Sequence, residues 1–324
     1  MAYYLGVDVG SSKTHVLITD EHGIILAFAR GGAGNHEVVG YDGLAKVLRS
    51  TCKKAFGEAG LQPAQISGAG FGVSGYDWPA EAGAHMEIIH SLGLSCPLEL
   101  INDVELGLMG GTPHGWGVAV VSGTGCNCRG WDAAQQKRGR VTGGGLMFGE
   151  AAGGSDLLVM AIHAISHEWS KRGPSTAITR LFVEHYGVKD AFELLQGVST
   201  GALAPEPGAA PLVFQAAAGG DAVAQNLIRW AGRELGEMAN AVIRQCEFEE
   251  EAFDLVLIGS LFNGSPEVTE EMKRTVHALA PGARFLRLEE PPVLGAVLLA
   301  MKAAGVEPAG EVRSALACNL KHLR

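Results

Sequence analysis

The residues best suited to chemistry lie in four short stretches. In Asp8-Val9-Gly10-Ser11-Ser12-Lys13-Thr14, a strand-like run reaches an aspartate, turns through small residues and starts again. Small residues let backbone N–H groups and hydroxyls close around phosphate oxygens, and Asp8 is placed to hold a magnesium ion, directly or through water. Ser122-Gly123-Thr124-Gly125 makes a second turn of the same kind. An ordinary hairpin would look the same at either place, but two phosphate-sized turns in one chain point to a nucleotide triphosphate tail held between two lobes. Ile101-Asn102-Asp103 hands a strand over to a helix. Asp103 there either caps the helix N-terminus or acts as a general base, taking the proton from an alcohol that attacks a terminal phosphate. Phosphoryl transfer asks mainly for positioning and charge neutralisation, so a base, a metal and a phosphate cradle suffice. Finally, Leu257-Ile258-Gly259-Ser260-Leu261-Phe262-Asn263-Gly264 runs an apolar strand into a turn flat enough for an adenine, although a generic strand-to-helix connection has the same form.

These residues need elements to hold them. Tyr3–Asp8, Val16–Thr19 and Ile24–Ala29 read as three short strands in a meander, followed by a helix over Tyr41–Ala59. Strand Ile66–Val73, a helix over Ala82–Leu92 and strand Leu98–Ile101 complete a first α/β unit, ending near Thr112–Gly115. The plan then begins again, with strand Gly117–Ser122 and a returning strand Asn127–Asp132. Helices over Gly154–Lys171, Thr176–Tyr186 and Asp221–Gln245 follow, then strand Phe253–Ile258, a helix over Pro266–Leu279, strand Arg284–Leu288 and a helix over Pro292–Ala304. Gly201–Pro211, rich in Gly, Ala and Pro, reads as a connecting loop.

At 324 residues the chain exceeds one comfortable core, so two domains with a cleft between them are expected. A composition of 47% hydrophobic and 19% charged residues is that of a globular chain. The net charge is −10, and no Lys/Arg stripe could neutralise a phosphate backbone, which argues against nucleic acid as a partner. The N-terminus lacks the layout of a signal peptide and no apolar run is long enough for a membrane helix, so a cytoplasmic protein without a membrane partner is expected. Six scattered cysteines form no Cys-x-x-Cys pair and are expected as reduced, structural thiols; on a strand, Cys126 and Cys128 would share one face.

Taken together, Asp8–Thr14, Ile101–Asp103, Ser122–Gly125, Gly259–Gly264 and the Pro292-Val293-Leu294-Gly295-Ala296 helix start resemble the phosphate, connecting and adenosine motifs of the hexokinase, actin and Hsp70 superfamily. Gly34-Asn35-His36, Asn102-Asp103 and Ser122-Gly123-Thr124-Gly125-Cys126-Asn127-Cys128-Arg129 resemble more closely the N-acetylglucosamine kinase branch of the BadF/BadG/BcrA/BcrD ATPase family. The resemblance runs from Tyr3 to about Ala304. It implies two actin-like (ribonuclease H-like) α/β domains, residues 1–115 and 116–324, with a nucleotide- and sugar-binding cleft between them, helical insertions in the second and the last helix returning to the first. It implies ATP and Mg²⁺ as cofactors, Asp103 as catalytic base, Asp8 as the metal residue, and Gly10, Ser11, Ser12, Lys13, Thr14, Gly123, Thr124, Gly125, Gly259 and Ser260 as nucleotide-binding residues. Asn35, His36, Asn127 and Glu150 are then the sugar-binding residues of a homodimeric kinase that phosphorylates N-acetylglucosamine or a relative at its 6-hydroxyl.

The stretch Gly143-Gly144-Gly145-Leu146-Met147-Phe148-Gly149-Glu150-Ala151-Ala152-Gly153 is similar to the family's Gly-Trp-Gly-x-x-x-Gly-Asp-Glu-Gly-Ser. Glu150 stands for a sugar-binding aspartate, Ala151 for glutamate, Ala152 for glycine and Gly153 for serine. Two other functions share the scaffold: an ATPase that activates a redox partner through an iron–sulfur cluster, whose cysteine arrangement Cys126 and Cys128 do not resemble, and a sugar-sensing regulator, which would need a DNA-binding region. Gly70-Phe71-Gly72-Val73-Ser74-Gly75 matches a dinucleotide fingerprint but opens no helix; a glycine-lined strand that brings backbone close to a substrate is the expected reading. His163, His167 and Glu168 have a spacing able to bind metal but lack a His-Glu-x-x-His pattern, and Lys13 belongs to no Walker loop.

Overall fold

The computed structural model describes residues 1–308 and 310–321; Ala309 and residues 322–324, the end of the expected second domain, lie outside the described residues. The chain opens with β1 (Tyr3–Val9), β2 (Thr14–Asp20), β3 (Ile25–Gly31), α1 (His36–Ala59), β4 (Gly68–Val73), α2 (Ala82–His90), β5 (Leu98–Ile101) and α3 (Asp103–Gly111). It continues with β6 (Gly117–Ser122), β7 (Cys126–Trp131), β8 (Arg138–Arg140), α4 (Gly154–Trp169), α5 (Ala177–Tyr186), α6 (Ala191–Thr200), α7 (Pro211–Ala218) and α8 (Ala222–Cys246). β9 (Phe253–Ile258), α9 (Pro266–His277), β10 (Ala283–Arg287), α10 (Val293–Ala303) and α11 (Gly310–Lys321) follow.

Two five-stranded sheets repeat one plan. The first has the order β3-β2-β1-β4-β5 and the second β10-β9-β6-β7-β8. In each, a three-stranded antiparallel meander is extended by two parallel strands, β4 and β5 beside β1, and β9 and β10 beside β6. The inner parallel strands β4 and β9 are buried along their whole length, as strands covered on both faces must be. The β1–β2 and β6–β7 turns therefore occupy equivalent places in the two sheets.

Helix α1 covers the outer face of the first sheet through Leu44, Leu48, Cys52 and Phe56. On the second sheet the same task falls to α8, whose Leu227, Ile228, Ala231, Leu235, Met238, Val242 and Ile243 recur at helical spacing. Between the sheets lie α3 and α10, joined in one apolar cluster with Tyr4 and Leu17 of the first sheet and Ala119 and Val256 of the second. Glycines set how closely α10 approaches. A Cβ on Gly6 would stand 2.7 Å from Val297 N, one on Gly68 2.9 Å from the Ala304 Cβ, and one on Gly70 2.8 Å from Ala300 N.

The Gly70–Gly75 stretch is thus explained differently from the sequence expectation. Gly70 admits α10 and Gly72 admits the Leu106 side chain, whereas Ser74 and Gly75, just past the strand, line the cleft. Other differences are local. Helix α1 starts at His36 because Asn35 caps it, and a left-handed Gly40 (φ 70°) kinks it just before the expected start. The expected Gly201–Pro211 loop ends where Pro211 begins α7, a position that needs no N–H donor. Asp190 caps the unexpected α6 by accepting from Glu193 N, and β8, at three residues, is too short to show a period.

Gly70→Ala should lower the urea midpoint by the equivalent of about 1–3 kcal/mol, since a methyl group there meets helix backbone. Gly57→Ala, at an exposed α1 position with nothing within 4 Å, should raise it by roughly 0.5–1 kcal/mol. Equal shifts in one direction would contradict the packing described.

Candidate active site

Both hairpin turns open on one cleft. Gly10–Lys13 from β1–β2 and Gly123–Gly125 from β6–β7 line a cavity of about 290 Å³ together with Asn35, Asp77, Asp103 and Asn127. The first turn is closed by Gly10 N donating to Lys13 O (2.8 Å), and the buried Thr14 leaves the cleft to donate its hydroxyl to Gly32 O (2.9 Å). The second turn is held from behind by the start of α4: Gly154 N donates to Gly123 O (2.8 Å) and Ser155 N to Thr124 O (2.9 Å). Gly123 and Gly125 have no left-handed φ, and a Cβ on either would meet nothing within 4 Å. The fold does not require glycine at these two positions. What their missing side chains leave open is cleft space, which suits close approach of a ligand to backbone amides. Gly259 (φ 105°) packs behind this turn, where a Cβ would stand 3.1 Å from Gly123 N; Gly259 and Ser260 do not line the cavity.

Asp103 is the first residue of α3, but it is not the cap. Asn102 Oδ1 accepts from Val104 N (3.1 Å), and Glu105 Oε2 accepts from Asn102 N (2.9 Å), a reciprocal capping box. The pattern Asn-x-x-Glu was legible in the sequence and makes Asn102 the cap, although Val104 N also donates to Asp103 Oδ1 (3.0 Å). Asp103 presents its carboxyl to the cleft. Burial first, then the nearby Asp8 and Asp77 carboxylates, push it up to about 7, against the pull of the Val104 N–H and Arg129. A carboxyl so poised accepts a proton readily near neutrality.

Asp77 is the residue that the sequence reading passed over. Its Oδ1 accepts from Arg129 Nη2 (2.6 Å), Asn127 Nδ2 (2.9 Å) and Asn102 Nδ2 (3.2 Å), which ties the segment after β4 to strand β7 of the other sheet. Arg140 Nη1 adds a bond to the Asp77 carbonyl (2.5 Å). Asn127 and Arg129 alternate along β7 with Cys126 and Cys128, so the polar pair faces the cleft side. The signal was positional: Asp77, like Asp103, follows the carboxyl end of a parallel strand, where ligands gather in open α/β sheets.

The remaining expected residues divide. Asn35 lines the cleft and caps α1, its Oδ1 accepting from Glu37 N (2.8 Å) and its Nδ2 donating to Ser11 Oγ (3.2 Å) and Ser74 Oγ (3.4 Å). His36 lies behind it, stacked on Tyr41 with ring centroids 4.6 Å apart and 3.8 Å from Glu81, and does not line the cavity. Asp8 sits at the end of β1 with its carboxylate 3.7 Å from His15. Glu150 is taken up by its own loop: Oε1 accepts from Thr142 N (3.0 Å), and Oε2 from Thr142 Oγ1 (2.7 Å) and Gly144 N (3.1 Å). Cys126 and Cys128 belong to the core under the second sheet, and burial pushes both thiols well up, away from the thiolate that binds metal. Glu168 joins α4 to α5 by accepting from Thr179 Oγ1 and Thr176 N, and no group of three metal-ligating side chains occurs among the described residues.

Residues 5–300 match the BadF/BadG/BcrA/BcrD ATPase family along most of the chain. The chain belongs to this family. The N-acetylmuramic acid/N-acetylglucosamine kinase of Clostridium acetobutylicum is 25% identical over 302 residues, covering 93% of this chain and 98% of that protein. The N-acetyl-D-glucosamine kinase of Dictyostelium discoideum is 24% identical over 312 residues, covering 92% and 97%. A candidate N-acetylglucosamine kinase structure from Chromobacterium violaceum superposes with a TM-score of 0.71 at 24% identity, covering 92% of this chain and 99% of that one. That likeness shows the two-domain, actin-like α/β fold. Where the family motif has glycine, this member has Ala152, and the backbone there keeps a glycine-like φ of 110° although the side chain is fully buried.

Two stability measurements follow. Ala152→Gly should stabilise the protein by about 1 kcal/mol or more, because it relieves a φ that L-residues avoid. For Asp103, the raised value means that the folded protein holds a proton that the unfolded chain has released between about pH 4 and 7. Its contribution is thus full below pH 4 and lost as pH rises through 7. Asp103→Asn should remove that decline, so the stability difference between variant and wild type must grow across this window in urea titrations.

Proposed function

We propose that the chain is an ATP-dependent sugar kinase that transfers the γ-phosphoryl group of ATP to a hydroxyl, O6, of N-acetylglucosamine or a related amino sugar or hexose. One observation carries the reading. A carboxyl raised to about 7 opens on the same cavity as both hairpin turns, and in the second of them the Cβ positions of Gly123 and Gly125 are empty space. The named kinases among the relatives support the substrate class.

In this mechanism the sugar hydroxyl oxygen attacks the γ-phosphorus while its proton passes to Asp103, and the bond to the β–γ bridging oxygen breaks with its electron pair leaving on ADP. Gly10 N and Gly123 N are spent on closing their own turns, so the amides of Ser11–Lys13, Thr124 and Gly125, with the Lys13 ammonium, are the donors left for the phosphates, and because the turns are fixed before reaction they stabilise developing charge without reorganising. Asn35 and Asn127 hold sugar hydroxyls at the cleft, with His36 and Glu150 supporting their segments from behind. Magnesium is ordinarily bound by one or two carboxylates, with phosphates and water completing its shell. The oxygen donors of Asp8, a carboxylate near enough to Asp103 to help raise it, fit that preference. Asp8 would hold the ion, which when bound neutralises phosphate charge.

ATP consumption measured over N-acetylglucosamine, glucosamine, N-acetylmuramic acid and glucose should show turnover with at least one sugar, and kcat/KM should fall about tenfold per pH unit below about 7. Asp103→Asn should cut kcat by about a hundredfold or more with ATP binding kept. Gly125→Val should weaken ATP far more than sugar. A panel without sugar-dependent turnover, or an Asp103→Asn enzyme of normal rate, overturns the reading.

A further inference from the structure

The Asp77 carboxylate has two unlike oxygens. Oδ1 is saturated by Arg129, Asn127 and Asn102, whereas Oδ2 accepts no hydrogen bond among the described residues. Its side chain is nine-tenths buried, at 10% exposure, yet the residue lines the cleft. The corner beside Oδ2 is kept open by a glycine: a Cβ on Gly143 would come within 3.3 Å of Oδ2 and 3.1 Å of Asn127 Nδ2. Oδ2 is thus the oxygen that the side chain leaves open to the cleft, where a ligand's donor can take the place of water on an acceptor already fixed in position.

Two further observations narrow what the donor belongs to. Asp77 is bonded to Asn102, the neighbour of the base, and to Asn127, both at the acceptor end of the cleft rather than at the phosphate turns. Glu150, meanwhile, has both oxygens engaged by Thr142 and Gly144 of its own loop and does not line the cavity. We infer that Asp77 is the specificity-determining carboxylate of this cleft, its Oδ2 accepting a hydrogen bond from a ring hydroxyl or acylamino N–H of the sugar. This rests on the kinase reading above. Bonding of Oδ1 to Arg129 fixes the carboxylate plane, so Oδ2 is aimed before the sugar arrives and discriminates by the presence of one donor.

The test is equilibrium binding by calorimetry without ATP. The probes are N-acetylglucosamine, its 1-, 3- and 4-deoxy analogues, and glucose in place of the acetamido sugar. Asp77→Asn should bind the parent sugar about tenfold or more weaker than wild type, with ATP affinity unchanged. One analogue should show that same loss in wild type and no further loss in the variant. Arg129→Lys, which alters only the Oδ1 side, should shift every analogue equally. Parent affinity in Asp77→Asn within twofold of wild type, or a loss that persists for all analogues, overturns the assignment while leaving the kinase reading intact. Should Asp77→Asn not fold, Asp77→Glu must change the rank order of the analogues; an unchanged order overturns the assignment equally. Wild-type protein that binds none of these sugars overturns the kinase reading itself.

Discussion

An ion pair buried between the two sheets, Arg129 to Asp77, is the contact on which the cleft depends. Taking both charges out of water is expensive, and their attraction offsets this only if the remaining hydrogen-bonding capacity is met. Here Asn102 and Asn127 complete the Oδ1 shell, and Arg140 takes the Asp77 carbonyl while stacking on Trp78. Every partner on this node also belongs to the cleft wall or adjoins it. The node sets how far apart the two lobes stand, and thereby the space in which two small molecules must meet.

Around it the molecule uses one plan twice. A meander feeding two parallel strands puts a tight turn at the same edge of each sheet, and the turns face each other because α3 and α10 fill the gap between the sheets. Of these, α10 can lie so close only where Gly6, Gly68 and Gly70 remove side chains from β1 and β4. Packing in the middle thus determines geometry at the rim.

The carboxylates divide the tasks by environment rather than by type. Glu105 caps, Glu150 closes a loop, Asp77 pairs with a cation, and Asp103, left with buried surroundings and like charges nearby, is pushed toward neutrality. Its raised value comes from the enclosure that buries it and from the carboxylates gathered around it.

Much of this was legible in the chain. Strand alternation, the two small-residue turns, the restart of the strand–turn–strand plan at Gly117 and Asp103 at a strand's end are local patterns, each set by residues within a few positions of one another; the third strand of the second meander, β8, was not among them. The Asn102–Glu105 box was equally local, although the reading took Asp103 for the alternative cap. Only the tertiary structure decided where Glu150 and His36 point, why Gly70 and Gly72 are glycines, and that Asp77 meets Arg129 across 52 positions. Such contacts arise where two sheets and two helices pack, and a carboxylate's free oxygen is known only after its distant donors have been placed. A periodic pattern records which face of an element is buried; it carries no record of what the opposite element brings to that face.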